Sequence, residues 1–303
     1  MTGATGFVGR WLIRELQANG HDALGTPPSS ELDITDAGAV AALVLAVEPD
    51  AIAHLAGLSY GPDARRSPEL AFAINEGGTR SVIAAAGPRS TPVLVVSSSE
   101  VYGSPAVEDL PLTETAPLRS EQPYGRSKLA QERVAFDAAA AGGPPTVVVR
   151  PFNHAGPGQR PEFVIPALAG RVLAARQHGE RRIVAGNVDV RRDFSDVRDV
   201  VRAYRLILER LAAGGDPGAR IYNIASGRSV PIRAIAEAFG RLAGIEIEIE
   251  VDPQLLRPSD PPEIRGDASA ISADLGWQPL VPFETTLKDV FEDAQSRLEL
   301  EQP

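Results

Sequence analysis

The chain has 303 residues, of which 43% are hydrophobic, enough to form one large packed domain or two of ordinary size. It contains no cysteine, and its four histidines lack zinc-site spacing, so disulfides and thiolate chemistry are excluded and no metal site is expected. A formal net charge of −10 and the lack of a long apolar run or signal-peptide pattern predict a cytoplasmic protein that binds neither nucleic acid nor membrane.

The first predicted element is unusually short. Met1-Thr2-Gly3 leaves almost no room for the strand that should precede a glycine-rich phosphate loop. We therefore expect a truncated first strand, and a sheet that lacks this central strand should be poorly stable.

The loop that follows, TGATGFVG, has glycines in the spacing GxxGxxG just before a predicted amphipathic helix at 8–18. Gly3 is expected to allow a tight turn, Gly6 to let the backbone approach a pyrophosphate, and Gly9 to let the helix pack closely. The free N–H groups of the helix N-terminus would face the anion. Alone, the triplet also fits an ordinary strand-to-helix turn.

The rest of the first half alternates short β-branched runs with Ala/Leu-rich stretches of helical period. This pattern predicts an α/β fold of Rossmann type, with a doubly wound parallel sheet and a smaller α/β substrate-binding lobe. Strands are predicted at 22–26, 51–55, 92–97 and 146–150. The further helices of this half are predicted at 37–47, 68–86 and 123–141.

After residue 151 the pattern loosens into a Gly/Pro loop. Helices are predicted at 166–178, 197–211, 231–242 and 283–298, and strands at 182–185 and 245–251. We expect residues 1–155 with about 187–224 to form the dinucleotide-binding domain. Residues from about 156–186 with 225–303 are expected to form the substrate lobe.

Two aspartates follow the second strand unit. Asp33 is the better candidate to accept a hydrogen bond from an adenine amino group, whereas Asp36 is placed to cap the helix at 37–47. The predicted strand end at 25–29 offers neither the acid that selects a free ribose hydroxyl nor the arginine that selects a phosphate. The choice between NADP and NAD therefore stays open.

Tyr124 and Lys128 are four residues apart, so a helix would place the phenol and the ammonium on one face, a turn apart. A nearby ammonium favours an ionised phenol and helps it to exchange protons. Ser97-Ser98-Ser99-Glu100 follows a strand at the sheet edge where ligands of this architecture bind. The serines could instead form an ordinary polar strand end, and Tyr124 could be a half-buried helical aromatic. Lys128, however, is one of only two lysines in the chain, which argues against a chance placement four residues after Tyr124.

In this order, TGATGFVG, LDITD, HLAG (54–57), SSSEVYG (97–103) and YGRSK (124–128) resemble the extended short-chain dehydrogenase/reductase family over nearly the whole chain. The second half is most similar to the branch that reduces GDP-linked 6-deoxy-4-keto-mannose. The segments that carry this similarity are RPFNHAGPGQ from Arg150, RRDFSDVRDVV from Arg191 and LRPSDPPEIRGD from Leu256. Gly57 departs from the alanine that is more usual there.

The resemblance implies a catalytic trio of Ser98, Tyr124 and Lys128, with Glu100 in a positioning role. The cofactor contacts that it implies are Gly3, Thr5, Gly6, Phe7, Val8, Gly9, Asp33, Ile34, Leu55, Ala56, Gly57, Tyr124 and Lys128. The substrate contacts that it implies are Ser98, Ser99, Asn153, Arg192 and Arg257. From the residues alone, Arg192 and Arg257 would be interpreted as partners in surface salt bridges.

The activity implied by the resemblance is NAD(P)H-dependent reduction of the 4-keto group of a GDP-4-keto-6-deoxy-hexose. A nucleotide-sugar 4,6-dehydratase is the alternative, since Glu100 lies where its base belongs. A 4-epimerase and a non-catalytic NAD(P)-sensing protein follow as further alternatives. The helices at 68–86 and 123–141 are Ala-rich, and by the resemblance they form a homodimer contact.

Overall fold

A computed structural model describes residues 1–215, 220–256 and 260–300. Its central sheet has four parallel strands in the order β1-β2-β3-β7. These are β1 (Ile52–His54), β2 (Val93–Val96), β3 (Thr146–Pro151) and β7 (Arg220–Ile224). Nearly every residue of the first three strands is buried, because both faces of the sheet are covered.

Helices cover the two faces of this sheet and form two separate apolar clusters with it. One face packs against α1 (Phe7–Ala18), α8 (Val197–Ala212) and α10 (Ser269–Leu275). The other packs against α2 (Ala37–Val47), α5 (Gly78–Ala86) and α6 (Pro123–Ala140). This arrangement confirms the predicted doubly wound α/β fold.

The first strand is reduced to Met1 and Thr2. Thr2 forms a single parallel bridge with His54, and the Met1 amino group donates to the carbonyl of Leu24 at 2.7 Å. The Thr26 N–H donates to the carbonyl of Met1 at 2.8 Å. The predicted strand at 22–26 is wrong, because a neighbour of two residues cannot supply the repeated hydrogen bonds of a ladder.

The predicted helix at 68–86 is continuous, but a π-helical turn interrupts its α-helical geometry. It follows the short α3 (Gly61–Arg66) and consists of α4 (Pro68–Phe72), a π-helical turn (Ala73–Gly77) and α5. A π turn widens the helix and is frequent at functional sites. Here it carries Asn75, whose side chain is fully buried.

The second half builds its own core around α7 (Val164–His178), α9 (Ile232–Ala243) and α11 (Phe283–Leu300). The parallel strands β5 (Arg182–Ala185) and β9 (Glu248–Val251) pair beside it. A third sheet contains β4 (Asn153–Ala155), β6 (Arg191–Asp196), β8 (Ser229–Pro231) and β10 (Glu263–Ile264). The sequence pattern misses these four strands, since they are short and rich in polar residues.

In the parts of the chain that the structure describes, no helix is both long and apolar enough to cross a membrane.

Three buried aspartates of the RRDFSDVRDVV segment connect β6 and α8 to later parts of the chain. The donors from later parts of the chain include Ser226 N, Gly227 N and Gly266 N for Asp193, Thr286 Oγ1 for Asp196, and Leu280 N and Val281 N for Asp199. Because these donors lie in separate loops and helices, the segment holds the C-terminal chain against the central sheet.

Candidate active site

The glycine loop packs directly on the chain that follows β1. Gly3 has φ +69°, and a Cβ there would lie 2.7 Å from the Ala56 nitrogen. A Cβ on Gly9 would lie 2.2 Å from the Gly3 carbonyl oxygen. Glycine is therefore needed at positions 3 and 9 to bring the loop, the segment 55–57 and helix α1 together.

Gly6 precedes helix α1 in an extended conformation, and no side chain of the described residues caps this helix end. The N–H groups of the first turn, which begins with Phe7 and Val8, remain available to an anion. A Cβ on Gly6 would meet only the Gly3 carbonyl oxygen, at 3.2 Å, so the space above the loop is open. Open space and free N–H donors at a helix end fit the diphosphate of a dinucleotide.

A buried hydrogen-bond chain connects the loop to the π turn through His54. The Ala56 N–H donates to Thr2 Oγ1 at 3.1 Å, and Thr79 Oγ1 donates to the Asn75 carbonyl at 2.7 Å. Because Thr79 Oγ1 uses its proton on Asn75, it accepts from His54 Nε2, which lies 2.9 Å away. His54 Nδ1 accepts from Thr2 Oγ1 at 2.8 Å, so the imidazole proton is on Nε2. Burial lowers the pKa of His54 to about 3, so the ring is neutral.

Asn75 connects the loop after β1 to helix α6. Its Nδ2 donates to Ser127 Oγ at 2.9 Å and to the Leu58 carbonyl at 3.2 Å, while its Oδ1 accepts from the Leu58 N–H at 2.9 Å. A Cβ on Gly57 would lie 2.7 Å from Asn75 Oδ1 and 3.4 Å from Lys128 Nζ. The side chain of Asn75 therefore occupies the space that an alanine at position 57 would need.

Tyr124 and Lys128 lie one turn apart at the start of α6, as predicted. The half-buried Tyr124 phenol lies close enough to Ser98 for that side chain to influence its pKa, and Ser98 Oγ accepts from the Glu100 N–H at 3.2 Å. Burial raises the pKa of Tyr124 to about 12, the Ser98 side chain opposes this rise, and the nearby Glu100 charge adds to it. The phenol is therefore protonated at neutral pH.

Lys128 is almost completely buried. Its Nζ donates to the Val96 carbonyl at 2.9 Å and to Gln131 Oε1 at 2.7 Å. Burial lowers the pKa of Lys128 to about 7, and the charge of Glu132 opposes that effect. An ammonium has three N–H donors, so one is left for a ligand after these two bonds.

A buried ion pair joins Arg150 on β3 to Glu132 on α6, and the two side chains are only 2% and 3% exposed. Ser97 Oγ donates to Glu132 Oε1 at 2.5 Å, and Arg150 Nη1 donates to Tyr102 Oη at 3.1 Å. Tyr102 Oη in turn donates to Asn223 Oδ1 at 2.7 Å. The network joins β2, β3, β7 and α6 just below the candidate catalytic residues.

The residues expected at the substrate lie on different elements. Ser99 begins a 3₁₀ turn after β2. Asn153 is exposed on β4, where its Nδ2 donates to the Asp193 carbonyl at 3.3 Å. Arg192 on β6 pairs with Asp260 and donates to the Pro261 carbonyl at 2.9 Å. Arg257 lies outside the described residues.

Asp36 caps α2, as predicted, because its Oδ1 accepts from the Ala39 N–H at 3.0 Å. Asp33 is exposed, and its Oδ1 accepts from both the N–H and the hydroxyl of Thr35 at 2.8 Å. These hydrogen bonds lower the pKa of Asp33 and keep it ionised. Ile34 packs beside Gly78 on α5.

Thr5, Leu55 and Ala56 complete the expected cofactor positions. Thr5 lies in the glycine loop, and its carbonyl accepts from Arg10 Nη1 at 2.7 Å. Leu55 and Ala56 follow β1 and lie against Gly3. The described residues contain no group of His, Asp or Glu side chains arranged to hold a metal ion.

Sequence reasoning missed four residues that support this site, namely Asn75, Gln131, Glu132 and Arg150. A signal existed for Glu132, which follows Lys128 by four residues and so shares its helix face. Gln131 also falls near that face. Asn75 and Arg150 had no local signal, because their partners are distant in the chain.

A family model described as the NAD dependent epimerase/dehydratase family matches residues 1–225. The chain is 36% identical over 302 residues to the GDP-6-deoxy-D-mannose reductase of Pseudomonas aeruginosa, covering 98% of this chain and 97% of that protein. It is also 26% identical over 306 residues to a UDP-glucose 4-epimerase of Lactobacillus helveticus, covering 91% and 90%.

The structure of RMD from Pseudomonas aeruginosa in complex with NADPH superposes with a TM-score of 0.86. It has 34% sequence identity with this chain, and 97% of each chain is covered. The match of the family model and the similarity to the reductase both extend over far more than half of the chain. The chain therefore belongs to the NAD dependent epimerase/dehydratase family.

Proposed function

We propose that this protein reduces the 4-keto group of a GDP-linked 4-keto-6-deoxy-hexose with NADPH or NADH. The observation that carries the proposal is the Tyr124 phenol, which lies close enough to Ser98 and Glu100 for both to influence its pKa and stands one helical turn from Lys128. Ser98 follows the carboxyl end of the parallel strand β2, and Lys128 Nζ donates to the carbonyl of Val96 at that end, where ligands of such sheets bind. The 36% identity to the Pseudomonas aeruginosa GDP-6-deoxy-D-mannose reductase supports the choice of substrate.

The glycine loop and the start of α1 would hold the diphosphate of the dinucleotide, and the third N–H of Lys128 would hold its nicotinamide ribose. When bound, the reduced nicotinamide supplies a hydride to C4 of the sugar. Tyr124 gives its proton to the ketone oxygen, so the carbonyl becomes a hydroxyl. Ser98 donates a hydrogen bond to the same oxygen.

The electrostatics of the site agree with reduction. A reductase needs its phenol in the protonated form at the start of each turnover, and burial with a pKa of about 12 keeps it so at neutral pH. Oxidation of a hydroxyl would instead need the phenolate. The environment of Tyr124 in the protein alone thus favours the reductive direction.

We assign dinucleotide binding to residues 1–155 with about 187–224, and nucleotide-sugar binding to about 156–186 with 225–303. Asn153, Arg192 and Arg257 are the proposed sugar and diphosphate contacts, and Asp33 is the proposed adenine contact.

NADPH and NADH fluorescence titrations would rank the two cofactors, since the loop at 25–29 carries neither an acid nor an arginine.

We also propose a cytoplasmic homodimer formed through the helical segment 68–86, which comprises α4, the π turn and α5, and through α6. A groove of about 900 Å³ lies on this face, lined by apolar residues such as Phe72 and Leu129. Acidic and basic side chains, among them Asp137 and Arg133, lie along the same groove and would complement each other across a two-fold axis. Light scattering that gives the mass of a single chain would refute the dimer.

The decisive experiment compares two incubations. With GDP-4-keto-6-deoxy-mannose and NADPH, we expect oxidation of the cofactor and a GDP-6-deoxy-hexose product with a new C4 hydroxyl. With GDP-mannose and no added reductant, we expect no change. Formation of a keto sugar in the second incubation would contradict the proposal.

That second outcome would instead identify a 4,6-dehydratase. One observation favours this alternative: Glu100 is exposed and close enough to Tyr124 to influence its pKa. A carboxylate there can act as the base that removes the C5 proton. A 4-epimerase would interconvert C4 epimers without net cofactor use, and a sensing protein would bind NAD(P) but turn over no nucleotide-sugar.

A further inference from the structure

Gln131 contributes one of the two protein acceptors of the Lys128 ammonium. Its Oε1 lies 2.7 Å from Lys128 Nζ, and the Val96 carbonyl oxygen lies 2.9 Å from the same nitrogen. Gln131 is fully buried and follows Lys128 by three residues, which places both on one face of α6. The amide oxygen must be the atom that faces Lys128, because an ammonium can only donate.

The other end of this carboxamide is unsatisfied. Gln131 Nε2 is buried and finds no hydrogen-bond partner among the residues that the structure describes. An unpaired buried amide costs free energy, and an apolar side chain of the same length, such as methionine, would avoid that cost. The presence of glutamine therefore needs a compensating role for its oxygen.

No other side chain in the described parts of the molecule accepts a hydrogen bond from Lys128. The charge of Glu132 raises the pKa of Lys128, but the two carboxylate oxygens of Glu132 already accept three hydrogen bonds from Ser97 and Arg150. Among the described residues, Gln131 is the only side chain that hydrogen-bonds Lys128 Nζ. The absence of a side chain at Gly57 leaves room beside Nζ, since a Cβ there would be 3.4 Å away.

We propose that Gln131 is a positioning residue, whose carboxamide oxygen acts with the Val96 carbonyl to fix two N–H directions of Lys128 and hold the third toward the segment 55–57. This inference rests on the proposed function in one respect, namely that a dinucleotide ribose takes the third N–H. The two bonds favour the charged form of Lys128 and so oppose the effect of burial.

The charge state of Lys128 makes the inference measurable. Burial lowers its pKa to about 7, so the loss of a hydrogen bond to the charged form should lower the pKa further. The titratable groups around it are Glu132 and Tyr124 on α6, His54 on β1, and Arg150 on β3, which Glu132 neutralises. Tyr124 and His54 are neutral near pH 7, so Glu132 is the main charge that opposes burial.

The chain has only two lysines, so ¹³Cε-lysine labelling gives two NMR signals. Lys288 is exposed and serves as the internal reference. In the ligand-free protein we expect Gln131→Met to lower the Lys128 titration midpoint by about one pH unit and Gln131→Glu to raise it. The matched control is Gln295→Met, which removes an exposed helical carboxamide bonded to Glu299 and should leave the midpoint unchanged.

An unchanged Lys128 midpoint in the Gln131→Glu variant would overturn the inference, and so would an unchanged midpoint in a folded Gln131→Met variant. If Gln131→Met does not fold, Gln131→Glu alone decides. Cofactor titration supplies the second readout, and we expect Gln131→Met to weaken binding several-fold. A shifted midpoint in a protein without ketoreductase activity would refute the proposed function but leave the role of Gln131 intact.

Discussion

Arg150 and Glu132 are joined by two hydrogen bonds, of 2.9 Å from Nε to Oε1 and 2.6 Å from Nη2 to Oε2, although both side chains are buried. Glu132 stands on the helix of Tyr124 and Lys128, and Arg150 stands on β3. The pair therefore fixes the catalytic helix against the sheet. Such a pair is costly to break, because the remaining charge stays buried without a partner.

We expect Glu132→Gln to lower the free energy of unfolding by about 3–5 kcal/mol in urea denaturation. The exposed pair Arg89–Glu48 supplies the control, and Glu48→Gln should cost less than about 1 kcal/mol. The double variant Glu132→Met/Arg150→Met should lose much less than the sum of its single variants. Additive losses would show that the two residues act independently.

Two glycines of the phosphate loop should respond differently to alanine. Gly6→Ala has room apart from the Gly3 carbonyl oxygen at 3.2 Å, so the fold should survive while NADPH binding weakens by about tenfold or more. Gly9→Ala would place its Cβ 2.2 Å from that oxygen and should cost about 1–3 kcal/mol of stability. Thermal unfolding and fluorescence titration separate the two effects.

Gly77→Ala is the control for both variants, since an added Cβ would meet no described atom within 4 Å. It should leave stability and cofactor affinity close to those of the wild type. Full NADPH affinity in Gly6→Ala would show that the dinucleotide does not lie against this loop.

The buried Lys128 should make stability depend on pH. Its pKa falls from 10.5 to about 7 on folding, so between these values the unfolded chain binds more protons and stability rises with pH. The cost of burying the charge is fully present below about pH 7 and is relieved above it. Relative to Lys128→Met, the wild type should gain about 2–3 kcal/mol between pH 6.5 and pH 9. Parallel urea curves with a pH-independent difference would contradict the burial of a charged amine.

Tyr124→Phe removes only the hydroxyl that would protonate the ketone. We expect kcat to fall by about 10²–10⁴-fold while NADPH affinity is retained. Stopped-flow measurement of hydride transfer is the direct check. Tyr60→Phe is a suitable control, because Tyr60 lies before α3 and has no part in the proposed chemistry. Near-normal turnover in Tyr124→Phe would remove this residue from the mechanism.

Arg192 is paired with Asp260, and both side chains are largely buried, 14% and 13% exposed. A GDP diphosphate would compete with this carboxylate for the guanidinium. We expect Arg192→Met to raise the KM for the nucleotide-sugar about tenfold without changing that for NADPH. Asp260→Asn should lower it, because the competing charge is removed. Equal effects on both substrates would place Arg192 outside the sugar-nucleotide site.

Local patterns were sufficient for the parts of this protein that depend on neighbours in the chain. Helical period predicted α1, α6 and α8 within two residues at each end, and the Tyr124–Lys128 spacing placed both groups on one face of α6. The strand at 22–26 failed for a tertiary reason, since its neighbour proved to be a two-residue stub. The strands β4, β6, β8 and β10 failed because short polar strands show no clear alternation.

The sequence by itself thus determined the fold class, the phosphate loop and the spacing of phenol and amine, because each follows from short-range periodicity or from glycine. Only the tertiary structure decided what surrounds them: the neutral His54, the Asn75 bridge to Ser127, and the Glu132–Arg150 pair. These contacts join residues separated by 18 to 52 positions, and burial at their meeting point sets the protonation of Tyr124 and Lys128. No local pattern encodes such burial, since it depends on how separate elements pack.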